Sequence, residues 1–265
     1  MESIFQIDNR KVNVFRAGSG TPVLLVHGFP LDHSMWTNQT HALSSEYQVI
    51  APDLRGFGKS AGTSSPVTTM AEFADDLASL IISLNLGNPV TFCGLSMGGY
   101  IAWQFFDRHR ELLDRLILCD TKASADSNEA KDVRLTTADR VLKEGSDFLA
   151  DSMVEKLFSP ATRAEQPDLV SQTQAVIRST SAQAIAAAQR GMADRPDMTG
   201  MLTSIDIPTL VIVGEEDAIT TSREMKSVAE QIPDAQFVEV QRAGHMAPLE
   251  QPDQVNSAIR GFLMS

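Results

Sequence analysis

Four places in this 265-residue chain could do chemistry together: His27-Gly28-Phe29, Ser96, Asp217 and His245. Ser96 lies in Gly94-Leu95-Ser96-Met97-Gly98, a G-x-S-x-G pattern. A serine hydroxyl is a weak nucleophile until a histidine takes its proton and a carboxylate orients that histidine. His245 lies in Ala-Gly-His-Met, and Asp217 closes Val-Gly-Glu-Glu-Asp. In a chain of this length the pentapeptide alone arises by chance about one time in ten. The surrounding elements must therefore decide.

The elements agree with the pentapeptide. Val90–Cys93 is a short apolar run before Ser96, and Gly99–Phe106 reads as a buried helix after it. Strand, sharp turn and helix is the context of a nucleophile elbow. Such a turn puts the serine at positive φ and requires small neighbours, supplied by Gly94, Gly98 and Gly99. The backbone N–H groups at the helix start then face an incoming oxyanion.

Other apolar runs read as strands at 3–7, 11–16, 23–26, 47–51, 116–120, 208–214 and 236–240. The first two flank a hairpin signal at Asp8-Asn9. Helices are expected at 34–45, 69–84, 221–231 and 252–264, the second ending at Gly87-Asn88. Strands alternating with helices imply a mostly parallel, eight-stranded, doubly wound sheet. Ligands in such sheets meet the carboxyl ends of the strands. The runs at 23–26, 90–93, 208–214 and 236–240 lead respectively to His27, Ser96, Asp217 and His245.

Residues 121–201 contain no strand-like run and are too long for a loop. They read as a helical cap, broken at Gly145, Pro160, Pro167, Gly191 and Pro196, inserted after the sixth strand. The expected division is a core of 1–120 and 202–265 with a cap of 121–201.

Composition narrows the function. A net charge of −12 argues against nucleic acid or an anionic membrane surface as partner. No stretch of about 20 residues is apolar throughout, and the first residues alternate like a strand, so a cytoplasmic protein is expected. Cys93 and Cys119 sit in strand-like runs and read as buried thiols. Without C-x-x-C or clustered His and Cys, no metal is expected.

With these residues in their order, the sequence resembles the α/β-hydrolase superfamily from about residue 10 onward, least so in 121–201. It is most similar to the capped, cofactor-free branch of 3-oxoadipate enol-lactonases, small carboxylesterases and metal-free haloperoxidases. The resemblance implies Ser96 as nucleophile, Asp217 as acid, His245 as base, and the Phe29 and Met97 amides as oxyanion hole. Asp-Leu-Arg-Gly-Phe-Gly-Lys-Ser, from Asp53 to Ser60, also fits the family pattern. Glu215, Glu216 and Asp120 remain rivals to Asp217. His27 is read as tying its loop together, and Asp53 with Arg55 as a structural charge pair.

The implied activity is hydrolysis of a small ester or lactone through an acyl-enzyme, with no cofactor. Perhydrolysis, C–C bond hydrolysis and a non-enzymatic receptor on the same fold are the alternatives. A serine on the elbow argues against dehalogenases and epoxide hydrolases of this fold. Met246 after the histidine argues against hydroxynitrile lyases, and Leu95 before the serine against C–C hydrolases. Substrate contacts are expected from Leu95, Trp36, Arg134 and Met246. Arg134, Arg140 and Arg178 are candidate pocket cations by location alone, and solvated helix faces are the favoured reading of each. The partner is then a small molecule, and a homo-oligomer stays open.

Overall fold

The structure is a computed structural model that describes residues 1–7, 10–60, 62 and 65–265. In chain order the elements are β1 (Glu2–Ile7), β2 (Arg10–Ala17), β3 (Pro22–Val26), α1 (Thr37–Leu43), β4 (Gln48–Pro52), α2 (Met70–Leu84), β5 (Val90–Leu95), α3 (Met97–Arg108) and β6 (Leu113–Cys119). Five helices follow: α4 (Asn128–Glu144), α5 (Asp147–Leu157), α6 (Pro160–Glu165), α7 (Pro167–Ser179) and α8 (Ala182–Ala193). The chain then continues through β7 (Thr209–Gly214), α9 (Ser222–Gln231), β8 (Gln236–Val240), α10 (Ala247–Glu250) and α11 (Pro252–Leu263). The turn expected at Asp8-Asn9 lies outside the described residues.

The eight strands form one sheet in the order β1-β2-β4-β3-β5-β6-β7-β8. β2 pairs antiparallel with β1 and β4, and every later pairing is parallel. The expected doubly wound sheet with a helical cap after its sixth strand is the fold observed. No described helix is long and apolar enough to cross a membrane.

Continuous apolar runs become the central strands because both faces are covered by helices. Every residue of β3, β5 and β7 is buried. Each fully buried Leu, Ile, Val or Phe there contributes about 2 kcal/mol. Register then aligns the strand ends: Val26 pairs with Gly94, Leu95 with Cys119, Cys119 with Ile212, and Gly214 with Val240. The loops that follow these strands leave along one edge.

Helix ends follow local chemistry. Thr69 and Glu72 form a reciprocal capping box at the start of α2. The helix stops at Asn85, in the left-handed region at φ 46°, before the expected Gly87-Asn88. In the cap, Gly145 ends α4, while Pro160 and Pro167 open α6 and α7. Gly191 breaks nothing. It lies inside α8, where a Cβ would come 1.8 Å from the Thr68 carbonyl oxygen. The missing side chain lets α8 seat on the segment before α2, which is also held by the Thr68 N–H bond to the Ala187 carbonyl (3.1 Å).

Candidate active site

Ser96 sits between β5 and α3 with φ 53° and ψ −111°, the strained backbone expected for an elbow. The neighbouring glycines are required by contact. A Cβ on Gly94 would lie 2.4 Å from the Gly98 carbonyl oxygen, and one on Gly98 would lie 2.4 Å from that of Val26. The Ser96 N–H is held by the Cys119 carbonyl at 2.9 Å, and Thr121 Oγ1 donates to the Ser96 carbonyl at 2.8 Å. The Ser96 backbone is thus braced by hydrogen bonds from the end of β6 and the loop that follows it.

His245 Nε2 lies 2.8 Å from Ser96 Oγ, and His245 Nδ1 lies 2.8 Å from Asp217 Oδ2. With Asp217 ionised, Nδ1 carries the proton and Nε2 is left to accept from the serine hydroxyl. The Asp217 carboxylate is filled by donors. Oδ1 accepts from the N–H groups of Ile219 (2.7 Å) and Thr220 (3.0 Å), and Oδ2 also accepts from the Thr220 hydroxyl. Burial opposes its charge, but the His245 imidazole and the Thr220 donors outweigh burial and hold the carboxyl below the usual range.

Asp120, the rival acid, is close by but differently employed. One ligand atom each of Asp120, Asp217 and His245 fall within 4.8 Å of one another. Asp120 Oδ1 accepts from the Gly214 N–H at 2.8 Å, Oδ2 has no partner among the described residues, and the residue is fully buried. Burial first, and then the Asp217 charge, push its carboxyl well above the usual range. Burial therefore disfavours the charge on Asp120, and the histidine hydrogen-bonds to Asp217. Glu215 takes the Arg242 N–H instead (3.1 Å).

The His27–Phe29 loop packs on the elbow: a Cβ on Gly28 would lie 2.7 Å from Leu95 Cδ2 and 3.5 Å from Ser96 Cβ. His27 ties the loop down, as expected. Its Nδ1 pairs with the Gly28 carbonyl (2.9 Å) and its Nε2 accepts from the Leu54 N–H (3.0 Å). Burial lowers its pKa, which keeps it neutral for both bonds. The amides of Phe29 and Met97 form no turn or side-chain hydrogen bond among the described residues.

The expected Asp53–Arg55 pair does not form. Asp53 accepts from His33 Nδ1 (2.7 Å), the His33 and Lys59 N–H groups and Asn13 Nδ2. Burial opposes its charge, yet the His33 and Lys59 donors prevail and bring its pKa down to about 2. Arg55 reaches across to α2 and binds Asp76 through Nε and a terminal nitrogen (2.7 and 2.6 Å). Loop curvature points the two side chains to opposite neighbours, which sequence adjacency could not reveal. Asp32, His33 and Asp53 also bring ligand atoms within 4.8 Å, but the Asp53 oxygens are already taken by these four donors.

The expected substrate contacts are placed unevenly. Leu95 and Met246 flank the serine and the histidine in chain order and are 1% exposed each. Trp36 is a core side chain with no exposed surface. Arg134 is committed to Asp126 and also contacts Gln189 and Met192 on α8, so it is not a free pocket cation. Arg140 pairs with Glu144 and Arg178 with Asp151. Helix spacing hinted only at the first of these pairs. One buried group escaped the sequence reading altogether. Glu250, 2% exposed, accepts from the N–H groups of Gly244 and Met246 on either side of His245.

Comparison with known proteins agrees with this geometry. A profile of the alpha/beta hydrolase fold matches residues 21–252. The 3-oxoadipate enol-lactonase 1 of Acinetobacter baylyi is 31% identical over 234 residues, 88% of this chain and 85% of its own. A thermophilic esterase from Thermogutta terrifontis, solved with malate bound, superposes with a TM-score of 0.96 at 43% identity, over 100% of this chain and 98% of its own. The enol-lactonase of Burkholderia xenovorans LB400 superposes with a TM-score of 0.91 at 26% identity, covering 99% and 100%. Strand order, elbow and a family match over most of its length coincide, and the chain belongs to the α/β-hydrolase family.

Proposed function

We propose that this protein is a serine hydrolase that cleaves a carboxylic ester of a small substrate, with Ser96 as nucleophile, His245 as base and Asp217 as acid. The observation that carries the reading is the unbroken relay from Ser96 Oγ through His245 to Asp217, with both links at 2.8 Å. Ser96 Oγ attacks the ester carbonyl carbon while His245 Nε2 takes its proton. The amides of Phe29 and Met97 hold the oxyanion, and Asp217 stabilises the imidazolium. His245 returns the proton to the alkoxide as the C–O bond breaks. It then activates a water that releases the acid from Ser96.

Relatives named as an esterase and as enol-lactonases support this bond class. Arg134, Arg140 and Arg178 of the cap are each paired with a carboxylate, so none of the three is a free cation for an anionic lactone. The malate named for the Thermogutta terrifontis esterase makes carboxylate-bearing ligands the competitors to include.

The test is a panel of p-nitrophenyl esters of graded acyl length, dicarboxylate half-esters and lactones, with malate as inhibitor and a peroxide/acetate halogenation assay alongside. A p-nitrophenol burst stoichiometric with enzyme, absent in Ser96→Ala, is expected. Absence of turnover across the panel would overturn the reading in favour of a binding protein.

A further inference from the structure

We infer that Glu250 is a positioning residue for His245, and that through it the junction between α5 and α6 in the cap sets the place of the imidazole. The inference rests on His245 acting as the base.

Glu250 ends the four-residue helix α10 and points back under the histidine loop. Oε1 accepts from the Gly244 N–H at 2.8 Å and from the Met246 N–H at 3.2 Å, the two residues that bracket His245. Oε2 accepts from the N–H of Ser159 at 2.8 Å, where α5 hands over to α6. Three amide donors on one buried carboxylate are charge-assisted bonds that hold direction as well as distance. A buried charge without them would be costly, so the three donors and the carboxylate are bound to stay together.

Further contacts make the junction rigid. The Met246 N–H also reaches the Leu157 carbonyl at 3.1 Å, and Ser159 Oγ lies 3.4 Å from the Arg242 carbonyl. A Cβ on Gly244 would lie 2.7 Å from the Ser159 nitrogen and 3.0 Å from the Phe158 carbonyl carbon, so the loop and the cap are in backbone contact. Gln166 Nε2 touches the Glu250 carbonyl at 3.5 Å. From Leu157 to Ser159 the cap is thus stapled to the backbone on both sides of the base. A cap displaced by substrate pulls on His245 through the same bonds.

Glu250→Gln in the full chain removes the charge and one acceptor, and turns an NH2 group toward an amide N–H. We expect kcat on p-nitrophenyl acetate to fall about 10- to 100-fold, in line with an ångström-scale misplacement of a catalytic group. KM should stay within about threefold, because Glu250 is placed against the loop backbone and not the substrate. Phosphorylation of Ser96 by paraoxon, with release of p-nitrophenolate, should slow in parallel, and the downfield Nδ1 proton of the His245–Asp217 pair should shift or broaden. A kcat within about threefold of wild type, or slowed turnover with phosphorylation and the proton signal unchanged, would overturn the inference. In the wild type, Gly244 and Met246 amides should exchange as slowly as core-strand amides; fast exchange would also overturn it. A wild type without turnover on the ester panel removes the assignment of the base instead, so the two failures are distinct.

Discussion

At the carboxyl edge of the sheet three buried carboxylates are densely hydrogen-bonded: Asp217 and Asp53 accept four hydrogen bonds each and Glu250 three. The outer faces of the cap are built otherwise. Arg140–Glu144 and Arg178–Asp151 are ion pairs with side chains 40–66% exposed. Exposed pairs of that kind contribute less than about 1 kcal/mol. The contrast separates two demands. Chemistry needs groups held to a fraction of an ångström, which burial and full pairing secure. Substrate choice needs a surface that can change without unfolding the core, and weak exposed pairs allow that.

The largest test of this contrast lies at the elbow. Ser96→Ala and His245→Ala should each lower kcat by roughly 10⁴- to 10⁶-fold with the fold intact, as measured by steady-state kinetics and circular dichroism. Near wild-type turnover in Ser96→Ala would remove the strand ends as the seat of chemistry.

Next come the two aspartates. Asp217→Asn should cost about 10³- to 10⁴-fold in kcat by disturbing the histidine tautomer, whereas Asp120→Asn should stay within about tenfold. Asparagine carries no charge and preserves the Gly214 acceptor of Asp120. The reverse order would move the acid to β6. Stability separates them again. The folded-state pKa of Asp120 is raised, so its neutral form favours the fold only at low pH, and stability falls as pH rises from about 3.9, the unfolded value. Asp120→Asn should remove that decline in urea titrations over a pH series.

Gly191→Ala probes the cap. The added Cβ has no room beside the Thr68 carbonyl, so α8 must shift, at about 1–3 kcal/mol of stability. The acyl-length profile should change, while kcat on the acetate stays within about tenfold. An unchanged profile would break the division between chemistry and selection.

The smallest effect is expected away from the triad. Asp53, with its pKa at about 2, contributes stability on the order of 2 kcal/mol that is present above the unfolded value and lost as pH falls through about 2. Asp53→Asn should therefore be destabilised at pH 7, with the gap to wild type closing between about pH 4 and pH 2.

The sequence made the sheet legible because central strands are continuous apolar runs and two of the helices between them, α2 and α9, carry capping boxes. It made Ser96 legible because a tight turn admits only small neighbours, and that constraint is local. Asp217 and His245 were legible by their place after strands. Side-chain partnership was less so. Asp53 and Arg55 sit two apart and look like a pair, yet each reaches a partner 20 or 21 residues distant in sequence, His33 and Asp76. Arg134 was a candidate by location until Asp126 and α8 were seen to engage it, and Gly191 looked like a break until Thr68 came against it.

Order along the chain therefore determined which residues end strands, and with that the fold and the constituents of the site. Tertiary structure alone decided which carboxylate faces His245, why burial raises the Asp120 pKa, and that Glu250 joins the His245 loop to the cap. The physical reason is one of range. Backbone preference and hydrophobic pattern act over a few residues, and they leave their mark in the sequence. Burial and the matching of donors to acceptors act across 25 to 94 residues of chain, as the Ser96–Thr121, Asp217–His245, Ser159–Glu250 and Asp120–Gly214 contacts do.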